Sequence, residues 1–177
     1  MIIRVDPTRC TDCRLCEIYC SLHQEGEVNP TRARIHIRRD ESRKLLAPIA
    51  CPPCDEKKCV AACPEPGALA ISPQTGAVSI VEARCTGCSK CIAACDIGAI
   101  RFLRRAGRGK NSKAVALKCN QCDGDPVCVR VCAPKALEYV SEPVGQQVFE
   151  HLRAALAEIE KDWAQRGGQP RRRIPPR

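Results

Sequence analysis

Sixteen cysteines stand in four groups of four along a chain of 177 residues. The groups are Cys10, Cys13, Cys16, Cys20; Cys51, Cys54, Cys59, Cys63; Cys85, Cys88, Cys91, Cys95; and Cys119, Cys122, Cys128, Cys132, with none left over. The first and third read C-x2-C-x2-C-x3-C; the second and fourth widen the middle step to C-x2-C-x4-C-x3-C and C-x2-C-x5-C-x3-C. Three thiolates spaced this closely can face one small metal cube from a tight loop, while the fourth, expected to start a helix, reaches the neighbouring cube. Four thiolates per cube give four 4Fe-4S clusters in close pairs, and the pair is the natural unit of electron conduction.

Two other uses of thiols fit less well. Structural zinc is typically held by two separated CxxC pairs, whereas consecutive x2 steps crowd more thiolates together than one tetrahedral ion needs. A disulfide framework belongs to an oxidising compartment, and Met1 to Arg9 carry no apolar signal segment. The expected location is the cytoplasm.

Only two Phe, two Tyr and one Trp are available to fill a core. Cluster ligation must therefore supply folding free energy that the apolar interior cannot, and the metal-free chain is expected to be largely unfolded. The formal charge of +9 and the run Arg171, Arg172, Arg173 suggest a polyanion partner. Each oxidised cluster with its thiolates carries about −2, however, which brings the loaded protein to about +1 and removes that reason to expect nucleic acid. No stretch approaches the roughly 20 apolar residues of a membrane-spanning helix.

The span from Cys51 to Phe102 has the plan of a two-cluster ferredoxin. Each cysteine loop is followed by a short apolar segment, Gly67 to Ile71 and Gly98 to Phe102. The 21 residues between Cys63 and Cys85 suit a hairpin with a turn at Gln74-Thr75-Gly76 and a strand over Ala77 to Val81. Ala133 to Val140 repeats the post-loop strand after Cys132, while Ser21 to Pro48 reads as an insertion. The fold class expected is α+β: two pseudo-symmetric bacterial-ferredoxin-like modules, each binding two clusters, plus a C-terminal amphipathic helix. Residues 1–50 with 103–141 form the outer module and 51–102 the inner one.

Groups can pair in tandem, first with second and third with fourth, or nested, second with third inside first with fourth. Nesting is preferred because the inner pair already has the complete plan, leaving the outer groups to each other. The ligand sets are then Cys10, Cys13, Cys16 and Cys132; Cys119, Cys122, Cys128 and Cys20; Cys51, Cys54, Cys59 and Cys95; and Cys85, Cys88, Cys91 and Cys63.

Arg104 to Lys113 is basic and glycine-containing, read as an exposed loop that is either simply solvated or a docking surface for an acidic redox partner. Over 142–168, Val144, Val148, Leu152, Leu156, Ile159 and Trp163 form one helical stripe that Gly167-Gly168 would stop. Residues 169–177 make a Pro- and Arg-rich basic tail. His23 is read as structural, since every ligand place is taken. Gly87, Gly98 and Gly124 are read as permitting tight turns.

Four ferredoxin-type groups in a short chain resemble the iron–sulfur electron-transfer subunits of molybdenum and tungsten enzymes, the dimethyl sulfoxide reductase B-subunit type. The likeness covers Ile2 to Val140, and nested ligation is usual in that family. The string Cys10-x2-Cys13-Arg14-Leu15-Cys16-Glu17-x2-Cys20-Ser21-x-His23-x-Glu25-Gly26-x2-Asn29-Pro30-x-Arg32-x-Arg34-Ile35 is similar to the small polyferredoxin subunits of tungsten aldehyde oxidoreductases and related benzoyl-coenzyme A reductases.

That resemblance implies a non-catalytic electron conduit. Its partners would be a tungsten or molybdenum pterin catalytic subunit and a flavin NAD-linked subunit, with self-stacking of copies as a further expectation. The alternatives are the equivalent subunit of a formate dehydrogenase, hydrogenase or benzoyl-coenzyme A reductase complex. A freestanding oxygen-sensing regulator that binds nucleic acid is disfavoured by the charge of the loaded chain.

Overall fold

The computed structural model describes residues 1–40, 45–52, 54–105 and 113–140. The helix and tail expected over 142–177, and the middle of the basic loop, lie outside the described residues.

Among the described residues, eight short strands, four α-helices and three 3-10 turns make an α+β fold. Strand β1 (Ile2–Val5) pairs antiparallel with β8 (Leu137–Val140), placing Ile2 opposite Val140 and Val5 opposite Leu137. An Arg4–Glu138 ion pair crosses this ribbon. The other three ribbons are hairpins: β2 (His36–Asp40) with β3 (Leu45–Ile49), β4 (Leu69–Ile71) with β5 (Val78–Ile80), and β6 (Arg101–Arg105) with β7 (Lys113–Leu117). The turn between β4 and β5 falls where Gln74-Thr75-Gly76 places it, with the Gly76 amide bonded to the Ser72 carbonyl.

The segment read as an insertion, Ser21 to Pro48, holds the second half of α1 (Leu15–Glu25), a 3-10 turn at Pro30–Arg32 capped by the Asn29 side chain, and β2 with most of β3. One expectation needs correction: Arg104 and Arg105 close β6 and Lys113 opens β7, so these three residues of the basic stretch lie in strands.

The helices also differ from the expected plan in which the fourth cysteine starts the helix. After α1 come α2 (Lys58–Ala61), α3 (Lys90–Ala93) and α4 (Val127–Arg130), and each of the four contains the third cysteine of its group. Cys20 lies in the same helix as Cys16, whereas Cys63, Cys95 and Cys132 fall just past the helix end. Third and fourth cysteines are four apart in every group, and one helical turn brings such residues to the same side. A short helix can thus offer one thiol to its own loop and the next to a neighbouring one.

Helix α1 packs against α4, and α2 against α3. Ile35, Ile49 and Leu137 are the largest apolar side chains in the main core, which also incorporates Cys16, Cys20, Cys51, Cys119, Cys128 and Cys132. A smaller cluster joins Cys59 and Cys91 to Val78, Ile100 and Ala116. Cysteine occupies interior positions that larger apolar side chains fill in proteins richer in them.

Candidate metal centres

Each cysteine loop is shaped by left-handed backbone at residues that are not glycine. Arg14 (φ 60°), Lys57 (φ 42°) and Ser89 (φ 64°) immediately precede α1, α2 and α3, while in the fourth group Cys122 (φ 47°) and Asp123 (φ 53°) lie in a 3-10 turn several residues before α4. Alternating left- and right-handed residues turn successive amides toward one concavity, the nest that receives anions and iron–sulfur groups. In the third group Gly87 is also required: a Cβ there would meet the Ala114 carbonyl oxygen at 2.3 Å, so β7 lies directly on this loop.

The folded chain brings cysteines of different groups together. Cys51, Cys54 and Cys59 line a cavity of about 260 Å³ together with Cys95. Cys85, Cys88 and Cys91 line a smaller cavity together with Cys63. In the first group, burial and then the charges of Asp12, Cys13 and Cys132 push the Cys10 thiol up. In the fourth, burial and then Cys119, Cys20, Cys122 and Cys16 raise Cys128. Cys13 and Cys88 are exposed; the remaining thiols are buried or half-buried.

Burial, followed by crowding with other thiols or carboxylates, also raises Cys16 and Cys119 to about 12 and Cys91 to about 11. Buried thiols crowded together are ill-suited to carry negative charge unless positive metal joins them. Donors already face several sulfurs: Arg34, Ala99, Ala116 and Gln121 amides to Cys20 (3.2 Å), Cys95 (3.3 Å), Cys85 (3.5 Å) and Cys119 (3.3 Å). The Gln24 side chain donates to Asn120 Oδ1 at 3.1 Å and to Cys122 Sγ at 3.4 Å, tying α1 to the fourth loop.

The donor set therefore fits iron–sulfur groups in chemistry and in number. Buried Gln121, between Cys119 and Cys122, keeps its Nε2 donor without a protein partner, a position that suits an adjacent anion. Among the described residues no three His, Cys, Asp or Glu side chains converge as the donors of a single ion would. Zinc requires thiolates about 2.3 Å from one point; a cube of four irons asks each thiolate only to reach its own corner.

Several supporting residues were not expected from the sequence. Lys118 is 4% exposed, and its Nζ donates to Cys51 Sγ at 2.9 Å. Glu17, equally buried, accepts from the Ile37 amide at 3.0 Å and from Arg14 Nε at 2.6 Å, locking α1 to β2. The signal for Lys118 was present as a charge closing the apolar run Ala114 to Leu117 directly before a ligand cysteine. His23 is exposed in the last turn of α1.

Cysteine loops of this kind define a class, the iron–sulfur electron-transfer proteins. No family model matches the chain. It is 37% identical over 130 residues to the polyferredoxin-like subunit of an aliphatic sulfonate oxidoreductase from Pyrococcus furiosus, covering 73% of this chain and 70% of that protein. It is 31% identical over 173 residues to the electron transport protein HydN of Escherichia coli (strain K12), covering 88% and 96% of the two. The chain belongs to this family of polyferredoxin-like electron-transport proteins. A solved structure of the BamBC active-site complex of benzoyl coenzyme A reductase is similar over 92% of this chain and 95% of that chain, at a TM-score of 0.39 and 23% identity. That likeness is too loose for any correspondence of sites to be drawn from it. Among the described residues no helix is long and apolar enough to cross a membrane.

Proposed function

We propose that the chain holds four 4Fe-4S clusters and serves as the cytoplasmic electron conduit of an oxidoreductase complex whose catalytic centre lies on another subunit. The ligand sets are Cys10, Cys13, Cys16 and Cys132; Cys20, Cys119, Cys122 and Cys128; Cys51, Cys54, Cys59 and Cys95; and Cys63, Cys85, Cys88 and Cys91. The observation that carries this reading is the exchange of fourth cysteines, with Cys95 in the cavity of the second group and Cys63 in that of the third. The β1–β8 ribbon and the α1–α4 and α2–α3 contacts support an outer module from residues 1–50 and 103–141 and an inner one from 51–102.

A bound cluster supplies a one-electron redox centre; the protein supplies spacing and environment. The charges that raise Cys128 include Cys16, those that raise Cys119 include Cys51, and those that raise Cys91 include Cys59, which supports an order of the four sets in a row. Cys13 and Cys88, the two exposed thiols, belong to the first and last sets of that row, making those the entry and exit points.

The partner on this reading is a tungsten aldehyde oxidoreductase subunit, with a flavin subunit or another acceptor beyond. The name of the Pyrococcus relative favours a second reading, in which the partner enzyme oxidises or reduces an aliphatic sulfonate. Anaerobic affinity isolation, with metal analysis and identification of the co-isolated chains, tests both. About sixteen irons per chain are expected, with tungsten or molybdenum in the captured large subunit. Colourless, iron-poor material would overturn the conduit; a large subunit free of both metals would overturn the proposed partner.

A further inference from the structure

Lys118 is the most deeply buried lysine side chain described, and its setting differs from that of every surface cation in the molecule. It follows β7 directly, precedes Cys119, and turns its ammonium onto Cys51 Sγ at 2.9 Å. Its side chain lines the cavity of Cys51, Cys54, Cys59 and Cys95. Among the described residues it forms no ion pair with a carboxylate.

A buried ammonium is costly unless an opposite charge answers it. The ammonium meets Cys51 Sγ of the third ligand set, while the Lys118 backbone adjoins Cys119 of the second. The contact is one-sided, because the hydrogen bond goes to Cys51.

We propose that Lys118 is a potential-setting positioning residue, whose fixed charge and N–H···S bond make the cluster of Cys51, Cys54, Cys59 and Cys95 easier to reduce than its neighbours' surroundings would allow. This rests on the cluster reading above. An added electron raises the negative charge at that site, and a cation in direct contact through a low-dielectric medium stabilises the reduced form more than the oxidised one. One electron is taken from the neighbouring centre, which is oxidised by one, and no proton moves; Lys118 stays an ammonium throughout. The middle of the row thereby becomes a resting place for an electron arriving from either end, which lets a two-electron donor deliver its charge in single steps.

The test is an EPR-monitored redox titration of the anaerobically purified full chain, wild type against Lys118→Met and Lys118→Arg, with iron counted in each. The signal of the relevant cluster is assigned by its perturbation in Cys54→Ser. In Lys118→Met that signal is expected to become at least tenfold harder to reduce, equivalent to about 59 mV for one electron. The other signals should move less, and Lys118→Arg should stay near wild type. Lys118→Met with full iron and an unmoved potential overturns the proposal, as does an equal shift in Lys118→Arg. Loss of one cluster's iron in both Lys118→Met and Lys118→Gln makes the residue a structural counter-charge, which also overturns it. A wild-type chain that carries no clusters would instead defeat the conduit reading, a result separable from all of these.

Discussion

The surroundings of the first and fourth cysteine groups differ from those of the second and third in how much protein they contain. Around the first and fourth, α1 spans eleven residues, and Ile35, Ile49 and Leu137 are almost wholly buried with six of the cysteines. Around the second and third, the helices are four residues long, the hairpin strands three, and the buried cluster is Val78, Ile100, Ala116 and two cysteines. Cys51, Ile97 and Ala99 of the smaller region sit in the larger core. The larger region has apolar contacts to keep its shape; the smaller leans on the larger and on whatever its thiols bind.

Stripping the iron tests that contrast most severely. Chelation under reducing conditions, followed by hydrogen exchange, should expose the β4 and β5 amides first, while α1, β2 and β3 keep some protection longer. Simultaneous loss everywhere would erase the distinction. A more local blow is Gly87→Ala, whose Cβ has no room beside the Ala114 carbonyl and whose φ of 72° already disfavours a side chain. The expected result is loss of up to one cluster's iron. Gly26→Ala, with φ 73° but open space, should keep all its iron and cost only about 1 kcal/mol of backbone strain.

Ile35→Ala removes a side chain that is 1% exposed in the larger core and should cost about 2–5 kcal/mol. It is read as faster bleaching of the iron–sulfur absorbance in guanidinium. Ile80→Ala, only partly buried against the smaller cluster, should accelerate bleaching less; the reverse order would show the smaller core to be the more important one.

The gentlest probe is pH. Burial, then Arg101 and Arg38, lower the pKa of His36 to about 4. The unfolded imidazole takes a proton near pH 6.5 and the folded one does not, so stability is present above that pH and drains away as pH falls toward 4. At pH 5.5 the loss is about 1.4 kcal/mol. His36→Gln should flatten this part of the profile in the larger region; an unchanged profile would assign the acid sensitivity to other groups, such as Asp6 and Asp12, whose carboxyls are held low by hydrogen bonds from Thr8 and Arg39.

Cysteine spacing was legible because metal reach dictates it, and the β4–β5 hairpin was legible from alternation around a Gly-bearing turn. The left-handed positions were not. Arg14, Lys57 and Ser89 have side chains that resist that conformation by about 1–2 kcal/mol each, and only the loop as a whole makes it worthwhile. The β2–β3 hairpin was hidden by its charge: Ile35 and Ile37 alternate inward, but Arg34, Arg38 and Arg39 around them obscure the alternation. Lys118 was overlooked because lysine is ordinarily a surface residue, and nothing short of the folded neighbourhood reveals sulfur at its tip.

The β1–β8 ribbon also sets a schedule during synthesis. Ile2 to Val5 find their partners only after Val140 has left the ribosome, whereas the Cys51–Cys95 stretch can close as soon as it emerges. At about 5–20 residues per second, the thiols of Cys10 to Cys20 wait on the order of ten seconds before their late counterparts exist. During that interval the thiols nearest the N-terminus of a nascent chain are open to oxidation by air, before any of the later loops can cover them.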